Sequence, residues 1–398
     1  MKLENVYIVA ACRTPYGKMG GALKSMTVAD LSSVCFKEAV VRAGITPEMV
    51  DEIVMGETRP SSAIHNVARY AALMAGFPYE TTAYTIQQAC SSAMAAIQCS
   101  ANKIAVGMAD IIIAGGVESM SNAPFFTNNI RYGINAGNFT VYDSITESQV
   151  GAQPTDIFGR FSMGETAETV AEQYGITREA QDRFAQQSQE RYQEAYEAGK
   201  FDEIVPITIP QRKGDPIIVD KDEHPRLSSY EKLASLKPVF KKDGTVTVGN
   251  ACGRNDGAAV VVLMSGEKVK ALGIKPMAKL IGYSTAGVDP RVMGIGPIPA
   301  VRKVLKQLDM TIDDMDLIEL NEAFAAQALA CVNELGIDQA KLNVNGGAIA
   351  LGHPSGSTGA RLVGTLCYEM QRRPDAKYAL ATMCVGGGFG SAIVIERV

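Results

Sequence analysis

Two cysteines far apart in the chain lie in settings that suit a reactive thiol. Cys90 lies in the segment 88–94 (QACSSAM), where a strand-like run turns into a helix-like run. Cys384 begins the segment 384–390 (CVGGGFG), in which three glycines would let backbone N–H groups face a ligand. Backbone N–H groups and the dipole at a helix N-terminus favour the thiolate, so we expect Cys90 to be nucleophilic.

One of the three histidines, His353, lies in a glycine-rich turn at 346–354 (GGAIALGHP) ahead of a predicted helix. An imidazole there could activate Cys90 or donate a hydrogen bond to a developing oxyanion. Asn321, in the segment 321–324 (NEAF), could hold a water or a carbonyl oxygen. Two thiols with such partners could transfer an acyl group in both directions.

Each of these residues also has a structural interpretation. Cys90 could be a buried core cysteine, and His353 could stabilise a tight loop. Asn321 could be a helix N-cap, and the glycines after Cys384 could form a turn between strands. A dinucleotide fingerprint is disfavoured there, because a strand-like run rather than a helix follows the glycines. The other two histidines, His65 and His224, are interpreted as non-catalytic.

The composition is that of a soluble globular protein of more than one domain. The chain has 398 residues, 46% hydrophobic and 20% charged, and a net charge of -5 that argues against nucleic-acid binding. Its eight cysteines show neither a disulfide framework nor zinc-ligand spacing, so we expect a reducing compartment and no metal. Residues 1–5 (MKLEN) lack an apolar stretch, and no run is long enough to span a membrane, so we expect a cytoplasmic protein.

Strand-like and helix-like segments alternate along the chain and predict an α/β sheet covered by helices. The strand-like runs include 6–10, 82–86, 111–114 (closed by the glycines at 115 and 116), 255–263 and 391–395. Helices are predicted at 28–43, ended by Gly44, and at 178–197.

The chain also contains an internal repeat. Residues 50–57 (VDEIVMGE) resemble residues 315–322 (MDLIELNE), which lie 265 positions later. With the same offset, Cys90 corresponds to position 355, two residues after His353. This favours a duplication. The looser stretch 121–248 is interpreted as an insertion. It carries a basic cluster that consists of Arg212, Lys213, Lys221, Arg226, Lys232, Lys237, Lys241 and Lys242.

Taken together, these motifs resemble the thiolase family, the acetyl-CoA acetyltransferases and 3-ketoacyl-CoA thiolases. The resemblance covers nearly the whole chain and is carried by segments in the family order: 13–17 (RTPYG), 115–121 (GGVESMS), 163–168 (MGETAE), 236–240 (LKPVF), 249–251 (GNA), 321–324, 346–354 and 384–388.

The resemblance implies a duplicated five-layer αβαβα fold with an inserted loop domain that binds CoA. The implied division is an N-terminal half at 1–120 and 249–270, a loop domain at 121–248, and a C-terminal half at 271–398. It further implies a homodimer or homotetramer in fatty acid metabolism, with CoA and acyl-CoA as substrates and no other cofactor.

Roles for individual residues follow from the same resemblance. Cys90 would accept the acyl group, and His353 would activate it and form one oxyanion hole with a water held by Asn321. Cys384 would be the acid/base thiol, and the N–H groups of Cys90 and Gly386 would form the second oxyanion hole. This is the chemistry of an acyltransferase that either cleaves 3-ketoacyl-CoA with CoA or condenses two acetyl-CoA molecules.

The chain departs from the family pattern around the substrate. Small residues, 91–93 (SSA), replace the usual Gly-Ser-Gly after the nucleophile, and the segment 125–158 lacks the expected tryptophan-containing loop. Ser162 stands where short-chain members often have histidine, and Cys252 replaces a serine that contacts pantetheine. The candidate CoA-binding residues are Arg226, Ala251, Cys252 and Ser162. We therefore expect thiolase chemistry with a shifted acyl preference.

Two other functions were weighed. A decarboxylating ketoacyl synthase would need a second His or Asn in place of Cys384. A non-catalytic acyl-CoA carrier or scaffold subunit would need none of Cys90, His353, Asn321 and Cys384. The presence of all four residues favours a thiolase over both alternatives.

Overall fold

The computed structural model describes residues 3–61 and 63–398. Met1 and Lys2 lie outside the described residues. They belong to the N-terminal segment 1–5, for which the sequence predicts no signal peptide. In chain order, the strands are β1 (Val6–Arg13), β2 (Gly17–Lys18), β3 (Glu52–Gly56), β4 (Thr82–Ile86), β5 (Ile111–Ser119), β6 (Phe125–Phe126), β7 (Tyr142–Asp143), β8 (Ile207–Ile209), β9 (Ile217–Val219), β10 (Asn255–Ser265), β11 (Ala278–Gly287), β12 (Leu317–Leu320), β13 (Tyr378–Val385) and β14 (Phe389–Glu396).

The α-helices alternate with these strands in both halves of the chain. In chain order, they are α1 (Val28–Ala43), α2 (Val67–Ala75), α3 (Ser92–Ala105), α4 (Ser144–Val150), α5 (Thr155–Phe158), α6 (Met163–Gln173), α7 (Arg178–Glu197), α8 (Tyr230–Ala234), α9 (Gly266–Leu272), α10 (Pro297–Leu308), α11 (Ala325–Leu335), α12 (Ala348–Leu351) and α13 (Thr358–Arg372).

The main sheet has the strand order β4-β3-β5-β10-β1-β11-β14-β13-β12. Apart from the edge strand β4, it is symmetric about the β1–β11 pair. On one side, β3 pairs with β5 in parallel and β10 pairs antiparallel with β5 and β1. On the other side, β12 pairs with β13 in parallel and β14 pairs antiparallel with β13 and β11. The repeated segments at 50–57 and 315–322 therefore form equivalent strands, β3 and β12, as the duplication predicts.

Alternate residues of each strand point into different hydrophobic layers. In β10, Val260 and Val262 pack with α1 and α2, whereas Val261 and Leu263 pack with α3 and α13. In the second half, α10 and α11 cover the outer face, and α13 again faces the centre. The result is five layers, with α3 and α13 buried between the two halves of the sheet.

Close packing at the centre explains why β5 is longer than the strand expected from the sequence. We expected Gly115 and Gly116 to close the strand at 111–114, but β5 continues through both to Ser119. A Cβ atom on Gly116 would lie 2.0 Å from the carbonyl oxygen of Gly356, and one on Gly115 would lie 2.1 Å from that of Ala259. The glycines thus permit close backbone approach rather than end the strand.

The segment between β5 and β10 holds α4 to α8 and the short pairs β6–β7 and β8–β9. The equivalent connection in the second half, between β13 and β14, is only the glycine turn after Cys384. This difference agrees with an insertion in the first half, although the exact domain boundaries stay predictions. Within the described ranges, no helix combines the length and apolar character needed to cross a membrane.

Candidate active site

Cys90 lies in a tight turn between β4 and α3. The preceding residue, Ala89, has φ 43, a left-handed conformation that costs a non-glycine residue energy. Ser92 stabilises the turn, because its hydroxyl accepts a hydrogen bond from Gln88 N at 2.9 Å and donates to the Ala89 carbonyl oxygen at 2.6 Å. The backbone between Cys90 and the start of α3 at Ser92 therefore has a fixed conformation.

The surroundings of Cys90 oppose the thiolate that the helix N-terminus would favour. Burial raises the pKa of the Cys90 thiol, and this effect outweighs the opposing hydrogen bond from the Gly386 backbone and the positive charge of Arg59. Glu118 raises the pKa further. Desolvation disfavours the thiolate, and here its effect on the pKa is larger than the opposite effect of the helix N-terminus. Cys90 is therefore a neutral thiol at rest and needs a base.

Alkylation of Cys90 should depend on pH accordingly. Because the pKa of Cys90 is raised, the thiolate fraction should still be increasing with pH at 9.0, the ordinary value for cysteine. The rate of iodoacetamide labelling of the Cys90 peptide, followed by mass spectrometry, checks this. The exposed Cys99 serves as the internal reference. A labelling rate for Cys90 that levels off below about pH 7.5 would indicate an activated thiolate instead.

His353 lies between α12 and α13, in the second half's counterpart of the Cys90 turn. Its backbone N–H donates to Asn255 Oδ1 at 3.0 Å, and its Nδ1 lies 2.7 Å from Thr358 Oγ1. Because Thr358 Oγ1 donates its own hydrogen to the Pro354 carbonyl oxygen at 3.0 Å, it accepts from Nδ1–H. This leaves Nε2 with a free lone pair, and Nε2 is buried without a hydrogen-bond partner among the described residues.

Burial lowers the pKa of His353 to about 3, with smaller contributions from the positive charges of Arg361 and Arg59. The imidazole is therefore neutral at physiological pH and can accept a proton at Nε2. A neutral thiol facing a neutral imidazole can transfer a proton when substrate binds, which is the pairing that nucleophilic catalysis requires.

Cys384 is the next-to-last residue of β13 and is 1% exposed. Burial raises its pKa well above the ordinary value, and the neighbouring thiols of Cys90, Cys331 and Cys252 raise it further. The turn that follows contains Gly387 and Gly388, with φ 94 and 92. These left-handed conformations suit glycine. The Gly386 backbone N–H just before them lies within hydrogen-bond reach of the Cys90 sulfur.

Both thiols and the imidazole line one cavity of about 170 Å³. We call it the thiol cavity. Its lining also includes Arg59, Gln149, Met163, Cys252, Arg254, Phe324 and Ser355. Sulfur atoms 294 positions apart in sequence thus share one small space. Cys90 and His353 meet there because each precedes one of the equivalent helices α3 and α13. The close contact between these helices depends on Gly359, where a Cβ atom would lie 2.6 Å from Met94 N.

Of the cavities that share lining residues with the thiol cavity, two contain candidate substrate-binding residues or adjoin Cys90. The side cavity, of about 450 Å³, shares with it Arg59, Cys90, Gln149, Met163 and Ser355. The basic cavity, of about 310 Å³, shares Arg254 with it and is also lined by Lys18, Gln189, His224, Arg226 and Ser228. The thiol cavity therefore lies between a cationic cavity and the side cavity.

Asn321 follows β12 and is fully buried, with its backbone N–H bonded to the Thr382 carbonyl oxygen at 3.0 Å. The N-cap interpretation is wrong, because the N-cap of α11 is Phe324. Neither atom of the Asn321 side-chain amide has a hydrogen-bond partner within the described residues. A buried amide without partners is costly, so this group has capacity for a ligand or a water.

The candidate CoA-binding residues occupy different surroundings. Ala251 and Cys252 line the thiol cavity, where burial and the Cys90 thiol raise the pKa of Cys252 to about 12. Arg226 is exposed and lines the basic cavity. Ser162 caps α6 through a capping box with Glu165 and lines none of these three cavities, so its position does not bring it to the thiols.

Two residues of this region were missed or undervalued from the sequence. His224, interpreted as having polar surroundings and no partner, packs against Gly253 and lines the basic cavity. Burial lowers its pKa to about 4, and the charges of Lys18 and Arg226 contribute. No sequence motif marks Arg59, although its place just after β3 is a signal, because ligands bind at the carboxyl ends of parallel strands.

Comparison with known proteins relates this site to a family. The sequence model described as thiolase, N-terminal domain, matches residues 6–267, and that described as thiolase, C-terminal domain, matches residues 274–397. A protein of Syntrophomonas wolfei subsp. wolfei named acetyl-CoA acetyltransferase is 51% identical and covers 99% of this chain and 100% of its own length. One of Cupriavidus necator with the same name is 48% identical over 99% of this chain and 100% of its own.

Solved structures show the same likeness. The acetyl-CoA acetyltransferase of Bacillus anthracis has a TM-score of 0.96 and 48% identity, with 100% of both chains covered. Human mitochondrial 3-ketoacyl-CoA thiolase in complex with CoA has a TM-score of 0.94 and 42% identity, and covers 100% of this chain and 99% of its own.

Proposed function

This chain belongs to the thiolase family and is an acyltransferase enzyme, and from this premise we propose that it transfers acyl groups between CoA thioesters through Cys90. The family, the fold and the activity expected from the sequence are confirmed. The alternatives, a carrier or scaffold and a decarboxylating ketoacyl synthase, are not favoured. The observation that supports the proposal is the convergence of Cys90, Cys384 and the neutral imidazole of His353 on one small cavity.

In cleavage, the Cys90 sulfur attacks the 3-keto carbon of the substrate and passes its proton to His353 Nε2. The bond between C2 and C3 then breaks, and Cys384 protonates C2 to release acetyl-CoA. The thiol of CoA next attacks the acyl group on Cys90, giving its proton to the Cys384 thiolate. The Cys90 thiolate takes back the proton from His353, so both residues return to their starting forms.

The surroundings of each group suit this sequence of steps. Burial makes the Cys384 thiolate a strong base, which is what abstraction of the weakly acidic α-proton requires in the condensation direction. Two oxyanion holes serve the two charged oxygens. One would combine His353 with a water held by Asn321, and the other would combine the N–H groups of Cys90 and Gly386. The unpartnered Asn321 amide and the Gly386 N–H near Cys90 support these assignments.

We propose that CoA lies with its phosphates near the basic cavity and its thiol end in the thiol cavity. Arg226 and Arg254 would supply charge, and Ala251 and Cys252 would line the pantetheine path. Because Ser162 is engaged in capping α6, we assign it an indirect part in substrate selection. CoA is a substrate in this scheme, and the residues of the thiol cavity carry the chemistry without a resident cofactor.

We further propose a cytoplasmic homodimer or homotetramer that acts in fatty acid metabolism. Two features support self-association. Strand β4 lies at the edge of the main sheet, and unpaired edges favour pairing with another strand. The segment around β6 exposes several large apolar side chains, namely Phe125, Tyr132, Ile134, Phe139 and Val141.

A substrate panel tests the proposed function. Purified protein should cleave acetoacetyl-CoA and longer or branched 3-ketoacyl-CoAs in the presence of CoA, with ping-pong kinetics because the acyl group rests on the enzyme. The rate of CoA-dependent consumption of each substrate is the measurement, with Cys90→Ala as the blank. No turnover of any substrate in the panel would contradict the proposal.

A further inference from the structure

Arg59 is a cation at the junction of the thiol cavity and the side cavity. Its side chain is 12% exposed and lines both spaces next to Cys90. Among the described residues, no other charged Lys, Arg, Asp or Glu lines the side cavity, and no carboxylate lines the thiol cavity. Arg59 is therefore the charged side chain that faces the side cavity, and the buried carboxylate of Glu118, 3.7 Å from its Nη1, partly balances its charge.

Only one edge of the Arg59 guanidinium is used by the protein. Its Nη1 donates to Thr58 Oγ1 at 2.8 Å and to Ser355 Oγ at 3.1 Å. Its Nε is buried without a partner, and no hydrogen bond from Nη2 occurs in the part of the chain that the structure describes. Nε–H and Nη2–H form the planar fork with which arginine binds a carboxylate through two hydrogen bonds.

The nearby Glu118 orients Arg59 but does not occupy this fork. Glu118 Oε2 lies 3.7 Å from Nη1, beyond hydrogen-bond distance. The same oxygen already accepts hydrogen bonds from Ser355 Oγ at 3.1 Å, from Gly356 N at 3.0 Å and from Thr58 Oγ1. Glu118 thus fixes the hydroxyl groups of Thr58 and Ser355, which accept the hydrogen bonds from Nη1. The N–H groups of Nε and Nη2 stay available to a ligand.

The order of the cavities places Arg59 on the acyl side of the site. CoA phosphates would lie toward the basic cavity, which joins the thiol cavity at Arg254. An acyl chain bonded to Cys90 would extend away from the CoA, into the side cavity. A group at the far end of the acyl chain would then meet the free edge of Arg59.

We propose that Arg59 selects 3-ketoacyl-CoA substrates whose acyl chain ends in a carboxylate, by binding that carboxylate through Nε–H and Nη2–H. This inference rests on the proposed thiolase function and names its substrate class. It accounts for a buried donor that is otherwise unpartnered, and for a cation in a space where an alkyl chain alone would gain more from an apolar lining.

The test compares two substrates that share a six-carbon acyl chain and differ in the terminal group. For each enzyme, kcat/KM for thiolysis of 3-oxoadipyl-CoA is divided by that for 3-oxohexanoyl-CoA. The wild type should favour the carboxylated substrate, and Arg59→Leu should lower this ratio by about 10- to 100-fold, the value of charge-assisted hydrogen bonds. Arg59→Lys, which keeps the charge without the fork, should give an intermediate ratio.

Arg302→Leu is the matched control, because Arg302 is an exposed cation paired with Glu334 and lines none of these cavities. Thermal unfolding of every variant identifies those that fail to fold. If Arg59→Leu slows both substrates equally, Arg59 acts on Cys90 and the inference is overturned. If the wild type prefers the uncharged substrate, the inference is also overturned, although the thiolase function stands. Only the absence of turnover with every substrate, acetoacetyl-CoA included, would remove the function itself.

Discussion

Cys384→Ala is expected to lower the rate of acetoacetyl-CoA thiolysis by about 10²- to 10⁴-fold, the range for loss of a general acid. Exchange of CoA label into acetyl-CoA should change far less. That exchange makes and breaks only the thioester on Cys90. The proton that it moves belongs to the CoA thiol, which is far more acidic than C2 and can ionise without help from Cys384, and no carbanion is formed. Cleavage and condensation both pass through a carbanion at C2, and the buried Cys384, which lines the same cavity as Cys90, is the acid that we propose for this step.

The measurement is the ratio of thiolysis to exchange, because a general loss of folding would lower both rates together. Cys331→Ala is a suitable control, since Cys331 is a buried cysteine near Cys384 that does not line the thiol cavity. It should leave the ratio unchanged. Equal losses of thiolysis and exchange in Cys384→Ala would show that Cys384 stabilises the site without donating the proton.

Much of the fold could be predicted because local signals and tertiary packing agree. Helix α1 runs over the predicted 28–43, with a capping box from Thr27 at its start and Gly44 in a left-handed conformation at its end. The repeat at 50–57 and 315–322 predicted equivalent strands because a duplicated core must preserve its buried positions. Sequence signals of this kind are local or periodic.

What the sequence did not predict depends on distant contacts. Gly115 and Gly116 look like a strand end, but their role is set by the carbonyl groups of Ala259 and Gly356 that pack against them. No local pattern contains that information. The raised pKa of Cys90 has the same origin, because the helix N-terminus is visible in sequence whereas the burial that outweighs it is not.

The residues of the site also differ in whether a local sequence pattern marks them or only distant contacts do. Glycine-rich motifs around His353 and Cys384 marked residues that the fold does bring to one cavity with Cys90. Arg59 has no such motif, and it gains its importance from a network with Thr58 and Ser355 that joins the two halves of the chain. Residues that select a substrate are therefore harder to predict here than residues that react with it.

Cys90→Ala should abolish both thiolysis and exchange, with a loss on the order of 10⁵- to 10⁶-fold, as for removal of the nucleophile in a serine protease. Alanine cannot carry the acyl group, and the remaining oxyanion donors have no tetrahedral adduct to stabilise. Because Cys90 is partly exposed to the cavity, its replacement should leave the unfolding temperature close to that of the wild type.

Acid quenching after incubation with radiolabelled acetyl-CoA separates the two cysteines. Cys384→Ala should retain one labelled acetyl group per chain, because it still acylates Cys90, whereas Cys90→Ala should retain none. Cys99→Ala is the control, since Cys99 is an exposed cysteine on α3, the helix that follows the Cys90 turn. Labelled protein from Cys90→Ala would identify another residue as the acyl acceptor, and the assignment of both thiols would then be wrong.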